Sequence, residues 1–390
     1  MKKINLVGDT IDKKDIDQLI EWLKTYPRLT KGEITTQFEI EWSKWLGRKH
    51  SVFVNSGSSA NLLMLYALIV SKRLKNKKIV IPALSWATDL APVIQLGLEP
   101  ILADCNLDNL AVDVGELRKV FFKEKPAALL LVSVLGLSPH MKEIIDLCKE
   151  HGVILIEDNC ESLGTEYYGQ KLGTFGDMSS FSLYFGHHIS TIEGGMISTD
   201  DDELYDILKM ARSHGWDRDL DIEKQKQLRE KWGIDEFSAL YTFYIPGFNL
   251  RSTDLQAFLG LGQLKKLDSI IKKRNENYKR YIKNLEGKTW IPRNSDYTMH
   301  DSESLFISNF CMPIIDKRKD AIVKNLQKND IETRPLICGS AGTQPFYVEK
   351  YGRLEQINVR EIDKYGLYVP NHPDLTNEEI DFICDIIINS

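Results

Sequence analysis

Strand-like and helix-like segments alternate through the first two thirds of this chain, and that alternation limits its fold more than any other feature. A continuous apolar run at 127–134 stops at Gly136, as expected of a strand buried on both faces. Helical spacing follows at Met141–His151, and a second apolar run follows at 153–156. This pattern predicts an α/β fold with a mostly parallel sheet covered by helices, and ligands at the carboxyl ends of its strands.

The chain has 390 residues, which is enough for two domains. Helical spacing from about 254 to 285 predicts a long helix that leads into a smaller unit. That unit has a predicted strand at 305–314, a helix at 317–329, a strand at 331–336 and a final helix at 377–388. We therefore predict a large ligand-binding domain with an N-terminal arm at 1–255 and a small α/β domain at 256–390.

Charge and composition exclude several classes of function. The net charge is -6 and no long basic run occurs, so nucleic-acid binding is not expected. No window approaches the ~20 apolar residues of a membrane span, and the apolar stretch after Lys3 stops at Asp9, too early for a signal peptide. The six cysteines form no C-x-x-C pair, which disfavours a metal or iron–sulfur centre. We expect a cytoplasmic protein with reduced thiols and no metal.

Two segments have the features of a cofactor site. Gly57-Ser58-Ser59 is predicted to precede a helix that begins near Ala60, and such a turn exposes backbone N–H groups to a phosphate. A plain helix cap is the alternative. Asp158 ends a predicted buried strand, where its charge needs a cationic partner, either a pyridinium nitrogen or an arginine. Each feature alone is ambiguous.

Two further residues complete the pattern. Trp86 follows a predicted strand and is placed to stack on a ring, although a lone tryptophan is more often part of a core. Ser182 lies five residues before His187 and is a candidate phosphate donor. No lysine occurs from Leu172 to Leu208. A His187-His188 pair stands in that gap, ahead of Glu193-Gly194-Gly195.

Taken in chain order, these residues resemble the DegT/DnrJ/EryC1/StrS sugar aminotransferase family. The resemblance runs through Asn249 and Arg251 in Pro246-Gly247-Phe248-Asn249-Leu250-Arg251 and through Arg334-Pro335. It implies fold type I of pyridoxal-phosphate (PLP) enzymes, as in aspartate aminotransferase, and a homodimer with its active sites at the subunit interface. The large domain is then the PLP-binding domain.

In that family the lysine that holds PLP follows the serine by five residues and precedes the glycine pair by seven. Both counts select His187. The departure resembles the 3-dehydratases of the group, which carry a His-His pair here, and it implies that PLP or pyridoxamine phosphate (PMP) is held non-covalently. Histidine, with an ordinary pKa of ~6.5, then serves as the acid/base.

The resemblance also implies a role for each remaining site residue. Gly57, Ser58 and Ser182 bind the cofactor phosphate; Trp86 covers the ring, Asp158 binds the ring nitrogen, Glu161 lies on the ring hydroxyl side, and Asn249 reaches the phosphate in the partner subunit. Substrate contacts are expected from His188, His214, Arg251 and Arg334. Packing is the alternative for His188, a loop cap for His214, and surface salt bridges for the two arginines.

The implied reaction is removal of the C3 hydroxyl from a nucleotide-linked 4-keto-6-deoxy sugar, with GDP the expected nucleotide. L-Glutamate would restore PMP, 2-oxoglutarate would leave and ammonia would be released, in a pathway of deoxysugar synthesis for lipopolysaccharide O-antigen or capsule. One alternative is a sugar aminotransferase in which Lys171 or Lys209 reaches the cofactor. Another is a lysine-less protein that binds PLP or a sugar nucleotide without catalysis. The sequence leaves the exact sugar, a hexose or a heptose, open.

Overall fold

A computed structural model describes residues 3–292, 305–337 and 339–390 of the chain. Its strands, in chain order, are β1 (His50–Val54), β2 (Lys78–Pro82), β3 (Glu99–Ala103), β4 (Ala128–Val132), β5 (Ile154–Asp158), β6 (Glu166–Tyr167), β7 (Gln170–Lys171), β8 (Met178–Ser182), β9 (Gly195–Thr199), β10 (Leu305–Phe306), β11 (Cys311–Ile315), β12 (Arg334–Pro335) and β13 (Gly366–Pro370). The helices begin with α1 (Lys13–Leu23), α2 (Glu33–Leu46), α3 (Gly57–Val70), α4 (Ala87–Gln95), α5 (Val114–Glu124), α6 (Met141–His151) and α7 (Asp202–Arg212). They continue with α8 (Ile222–Trp232), α9 (Asp254–Leu264), α10 (Leu267–Leu285), α11 (Lys319–Lys328), α12 (Pro345–Tyr351), α13 (Ile357–Tyr365) and α14 (Asn377–Asn389).

The central layer is a seven-stranded sheet in the order β1-β9-β8-β5-β4-β2-β3. β9 runs antiparallel to both of its neighbours, and the other pairings in the sheet are parallel. All five residues of β4 are buried, as its unbroken apolar run requires of a strand covered on both faces. The predicted α/β fold with a mostly parallel sheet is confirmed, and the carboxyl ends of β5, β4 and β2 meet at one edge.

The C-terminal part contains a three-stranded antiparallel sheet in the order β11-β13-β12. Helix α14 packs against α10 and α11 on this side of the chain. The predicted strand at 305–314 is divided between β10 and β11, and the one at 331–336 shrinks to the two residues of β12. The predicted domain division at 255/256 remains a prediction.

The long helix predicted from 254 to 285 is two helices, α9 and α10, which meet at Lys265 and Lys266. The Lys266 ammonium group donates to the carboxylates of Asp12 and Asp15 near the start of α1. The two helices also have different partners, since α9 packs on α2 and α10 packs on α14. Helical periodicity continues across the joint, which is why the sequence does not reveal the break.

Three further observations apply to the described residues only. No helix among them is long and apolar enough to cross a membrane. No cluster of three histidine, cysteine or acidic side chains suited to a metal ion occurs in those ranges. The five cysteines that the structure describes are free thiols.

Candidate active site

The candidate phosphate site lies where β1 passes into α3. The helix begins at Gly57, three residues earlier than predicted, and Ser56 is its N-cap; the Ser56 hydroxyl oxygen accepts from the Ser59 N–H at 3.1 Å. Gly57 and Ser58 therefore form the first helical turn, where backbone N–H groups point out of the helix and favour an anion. The Ser58 hydroxyl donates to Thr88 at 3.0 Å, which joins this turn to α4.

Close packing explains two of the glycines around this turn. A Cβ on Gly57 would lie 2.7 Å from the Ser182 Cβ and 3.0 Å from the Cys160 sulfur. A Cβ on Gly195 would lie 2.2 Å from the Ser56 carbonyl oxygen. The structure thus brings Gly57 and Ser182 together, as predicted, and only glycine allows strands β8 and β9 to approach the turn so closely.

Asp158 ends β5 and is 6% exposed. Its carboxylate accepts from the Asn61 amide at 2.5 Å and from the Cys160 N–H at 2.8 Å. Within the described ranges no lysine or arginine forms an ion pair with it, so the alternative of an arginine partner is not supported. A buried carboxylate without a cation suits a ligand that brings its own positive charge, such as a pyridinium N–H.

Trp86 and Glu161 lie on elements that flank Asp158. Trp86 is the N-cap residue of α4 and is 56% exposed, which excludes the alternative of a core residue and leaves its indole free to stack. The Glu161 carboxyl accepts from the Leu135 N–H at 2.7 Å. Burial, with a smaller contribution from the Asp158 charge, raises the pKa of Glu161 to about 8. Near neutral pH it is mostly protonated and able to donate to an oxygen.

His187 lies in the loop between β8 and β9, where its backbone N–H donates to the Tyr184 carbonyl at 2.9 Å. Its ring centroid is 5.1 Å from that of Phe310. The Nδ1 atom is buried and has no partner of hydrogen-bonding geometry among the described residues. Burial lowers the pKa of His187 to about 4; the Asp158 carboxylate and a hydrogen bond with the Cys160 backbone oppose the shift, and the Arg274 guanidinium adds to it. The imidazole is therefore neutral at pH 7 and can accept a proton.

His188 is completely buried, and its Nε2 lies 2.8 Å from the Ser308 carbonyl oxygen. The neighbouring imidazoles thus have different surroundings: His187 lies within electrostatic range of Asp158, and His188 lies against a backbone carbonyl. This position does not support the predicted substrate contact for His188 and fits the alternative of a packing residue.

The two lysines that could replace a cofactor lysine are engaged elsewhere. The Lys171 ammonium donates to the Trp45 carbonyl at 2.7 Å and lies over the Trp45 ring. The Lys209 ammonium lies 3.7 Å from Asp206 and 4.1 Å from the ring centroid of Tyr205. In these positions neither amine joins the residues around Asp158.

His214, Asn249 and Arg251 form a second cluster beyond β1. The Arg251 guanidinium donates to the Asn249 side-chain oxygen at 3.1 Å and lies 3.4 Å from the His214 ring nitrogen Nε2. Asn249 is exposed, and β9 and β8 separate this edge of the sheet from β5. The cluster borders an open groove of about 780 Å³ whose lining includes Trp216 and the cations Arg28, Lys31, Arg218 and Arg251. Arg334 is exposed on β12, and its guanidinium donates to the Thr333 carbonyl oxygen.

Sequence reasoning gave no role to four polar residues that surround Asp158 or join its neighbours: Asn61, Thr88, Asp89 and Ser180. Asn61 belongs to the turn motif at 55–61, and an aspartate at position 89 inside an otherwise apolar helix could have indicated a site residue. Both Asn61 and Asp89 are buried. A buried polar residue in such a helix requires a hydrogen-bond partner, and here Asn61 bonds both Asp89 and Asp158.

Comparison with known proteins agrees with this geometry. The sequence model of the DegT/DnrJ/EryC1/StrS aminotransferase family matches residues 9–388. The GDP-4-keto-6-deoxy-D-mannose 3-dehydratase of Escherichia coli O55:H7 (strain CB9615 / EPEC) is 34% identical over 369 residues, which are 92% of each chain. A solved structure of the E. coli enzyme of that name, with bound hydrated PLP, has a TM-score of 0.90 and 32% identity over 99% of this chain and 100% of its own. A mutant of GDP-4-keto-6-deoxymannose-3-dehydratase with bound GDP-perosamine has a TM-score of 0.89 and 31% identity, covering 98% of this chain and 100% of its own.

Proposed function

The chain belongs to the DegT/DnrJ/EryC1/StrS aminotransferase family, and we propose that it is a PLP/PMP-dependent 3-dehydratase of a GDP-linked 4-keto-6-deoxy sugar. GDP-4-keto-6-deoxy-D-mannose is the proposed substrate, L-glutamate restores the amino group of the cofactor, and 2-oxoglutarate and ammonia are released. The observation that carries the proposal is His187, whose neutral imidazole with an unpartnered Nδ1 stands where the family has its lysine. Free thiols support a cytoplasmic site of action.

The residues around Asp158 fit PLP. Asp158 offers a buried carboxylate to the ring nitrogen, and the first turn of α3 with Gly57 and Ser58 offers N–H groups to the phosphate. Ser182 packs against that turn, and the exposed indole of Trp86 is available to one face of the ring. Protonated Glu161 is suited to donate to the ring hydroxyl oxygen. Bound PLP supplies an electron sink, and as PMP it supplies an amine.

His187 is proposed to move protons and to do nothing else. Imidazole forms no stable imine with an aldehyde, so the residue cannot hold PLP covalently as a lysine does. Its low pKa keeps it in the proton-accepting form at neutral pH, within electrostatic range of the Asp158 carboxylate. The base is thus available both when glutamate gives up its α-proton and when the C3 hydroxyl is expelled.

The two alternatives predict different chemistry. An aminotransferase needs an amine to carry the cofactor, and the contacts of Lys171 and Lys209 hold both lysines elsewhere. A non-catalytic binding protein has no need for a neutral base with a free ring nitrogen. The GDP nucleotide is supported by the names of the relatives with which the chain aligns along nearly its whole length.

Product analysis tests the function directly. Purified protein incubated with PLP, L-glutamate and GDP-4-keto-6-deoxy-D-mannose is expected to form a 3-deoxy-4-keto sugar nucleotide, lighter than the substrate by one oxygen atom, with one equivalent of ammonia and of 2-oxoglutarate. Mass spectrometry and a glutamate-dehydrogenase ammonia assay measure both. An amino sugar without ammonia would identify an aminotransferase, and no turnover with bound PLP would favour the binding protein. A panel of other 4-keto sugar nucleotides, heptoses included, defines the sugar.

We further propose that the active protein is a homodimer in which Asn249 contacts the cofactor phosphate of the partner subunit. Asn249 is exposed, and the adjoining segment presents Phe237, Tyr241 and Phe243 to solvent. Exposed aromatic side chains in this density are typical of an interface. The groove beside Arg251 would then face the partner's PLP site. Its lining is mixed in charge, and the guanidinium groups of Arg28, Arg218 and Arg251 would be the donors to a diphosphate.

Mixing two inactive variants tests the shared site. His187→Asn and Asn249→Ala subunits, each nearly inactive alone, are expected to recover up to about half of the wild-type activity per heterodimer, because one of the two sites then holds both intact residues. Activity is measured on heterodimers purified with two different affinity tags. If verified heterodimers remain inactive, each site is built from one chain.

A further inference from the structure

Asp89 is a second fully buried carboxyl group at the candidate site, with 0% exposure, in the first turn of α4. One amide links it to Asp158, because the Asn61 Nδ2 donates to Asp89 at 2.9 Å and to Asp158 at 2.5 Å. The Ser180 hydroxyl donates to the Asn61 side-chain oxygen at 2.5 Å and so orients that amide. The carboxyl groups of Asp89 and Asp158 are also within hydrogen-bonding reach of each other.

The other oxygen of Asp89 is turned to the backbone of α4. It accepts from the Trp86 N–H at 2.9 Å. Asp89 therefore connects the two proposed ring contacts, Trp86 over the face and Asp158 at the nitrogen. Removal of its side chain would loosen both at once.

Two buried carboxylates that share one amide donor repel each other, and burial penalises the charge on each of them. The groups that face Asp89 are acidic, Asp158 and Glu161, and within the described residues no cation pairs with it. Burial first, and then the Asp158 charge, raise the pKa of Asp89 well above its ordinary value. A hydrogen-bonded carboxyl pair in this setting holds one shared proton.

We propose that Asp89 is a positioning residue of the cofactor site, which carries the proton of the Asp89–Asp158 pair and leaves Asp158 as the single anion presented to the ring nitrogen. The proposal rests on the proposed function only in assuming that PLP binds beside Asp158. Protonated Asp89 donates to the Asp158 carboxylate, which in turn accepts from the ring N–H. Without the Asp89 donor, the ring proton is expected to move toward Asp158.

Two substitutions of similar size separate this role from simple packing. Asp89→Asn keeps a neutral N–H donor toward Asp158, whereas Asp89→Leu fills the space without a donor and keeps water out. The readouts are the Kd for PLP, by absorbance titration, and the 15N resonance of ring-labelled PLP bound to the protein. Glu157→Gln is the control, since Glu157 is an equally buried carboxyl on β5, next to Asp158, and accepts from the N–H groups of Gly173 and Gly176.

We expect Asp89→Asn to bind PLP within about fivefold of wild type and to keep the protonated-ring resonance. Asp89→Leu is expected to lose about tenfold or more in affinity, because buried polar groups lose their partner, and its 15N resonance should move toward that of unprotonated pyridine. Glu157→Gln should leave both readouts unchanged. If Asp89→Leu does not fold, Asp89→Ser, which is too short to reach Asp158, replaces it.

An unshifted 15N resonance in Asp89→Leu, or in Asp89→Ser where that replaces it, overturns the proposal. It is also overturned if Asp89→Asn loses as much affinity as the donor-free variant. Wild-type protein that does not bind PLP would instead count against the cofactor, and wild-type protein that binds PLP without dehydration would count against the function. These failures are therefore distinct from one another.

Discussion

Replacement of His187 by asparagine is expected to lower kcat for dehydration by about 10³-fold, within the range of 10² to 10⁴ that general base catalysis contributes. Asparagine is close to imidazole in size but cannot accept a proton. PLP binding should stay within about fivefold of wild type, because His187 is not among the groups proposed to hold the cofactor. Stopped-flow or steady-state ammonia release gives kcat, and absorbance titration gives the Kd for PLP.

His188→Asn is the matched control for this substitution. Its amide is too short to reach the Ser308 carbonyl oxygen, which the His188 ring nitrogen Nε2 contacts at 2.8 Å, so this variant removes a packing contact and leaves the imidazole at 187 in place. We expect kcat within about fivefold of wild type and a modest loss of thermal stability from the smaller buried side chain. The reverse result, a large loss at 188 and a small one at 187, would assign the base to His188.

The sequence was sufficient for the parts of the site that follow from chain order. A strand end can be recognised as an apolar run followed by a polar residue, so the sequence alone places Asp158 at the carboxyl end of β5. Counting from Ser182 and from Gly194 with the spacing of the resembled family selected His187. In the structure burial keeps that imidazole neutral at pH 7, with the Asp158 carboxylate within electrostatic range, and its role as the base stays a prediction.

Features that depend on the direction of a side chain or on a partner distant in the chain could not be predicted from the sequence. Asn61 and Asp89 lie 28 positions apart, and each lies far from Asp158 in the sequence, so their bridge exists only after β1, β2 and β5 have come together in one sheet. The burial of His188 depends on the Ser308 carbonyl, which the C-terminal part supplies. The break between α9 and α10 reflects separate packing partners, which leave helical periodicity intact.

Replacement of His187 by lysine is expected to convert a non-covalent cofactor site into a covalent one. A lysine amine at this position has the spacing from Ser182 and Gly194 that the family uses, and burial will lower its pKa toward the reactive neutral form. Borohydride reduction followed by peptide mapping should find a pyridoxyl group on lysine at position 187, whereas wild-type protein treated in the same way should yield no pyridoxyl-lysine.

Dehydration by His187→Lys should fall by about 10²-fold or more, since the introduced amine is engaged with the cofactor and is not a base of the same pKa. Conversion of glutamate to 2-oxoglutarate in a single turnover should persist, because lysine is a competent proton carrier. His187→Arg is the control, because an arginine side chain is similar in length to lysine but its guanidinium does not condense with an aldehyde. This variant should lose both dehydration and glutamate conversion, and borohydride should attach no pyridoxyl group at position 187. If borohydride treatment of the wild-type protein yields a pyridoxyl-lysine, a lysine carries the cofactor covalently, and the proposed non-covalent site with His187 in the lysine position is wrong.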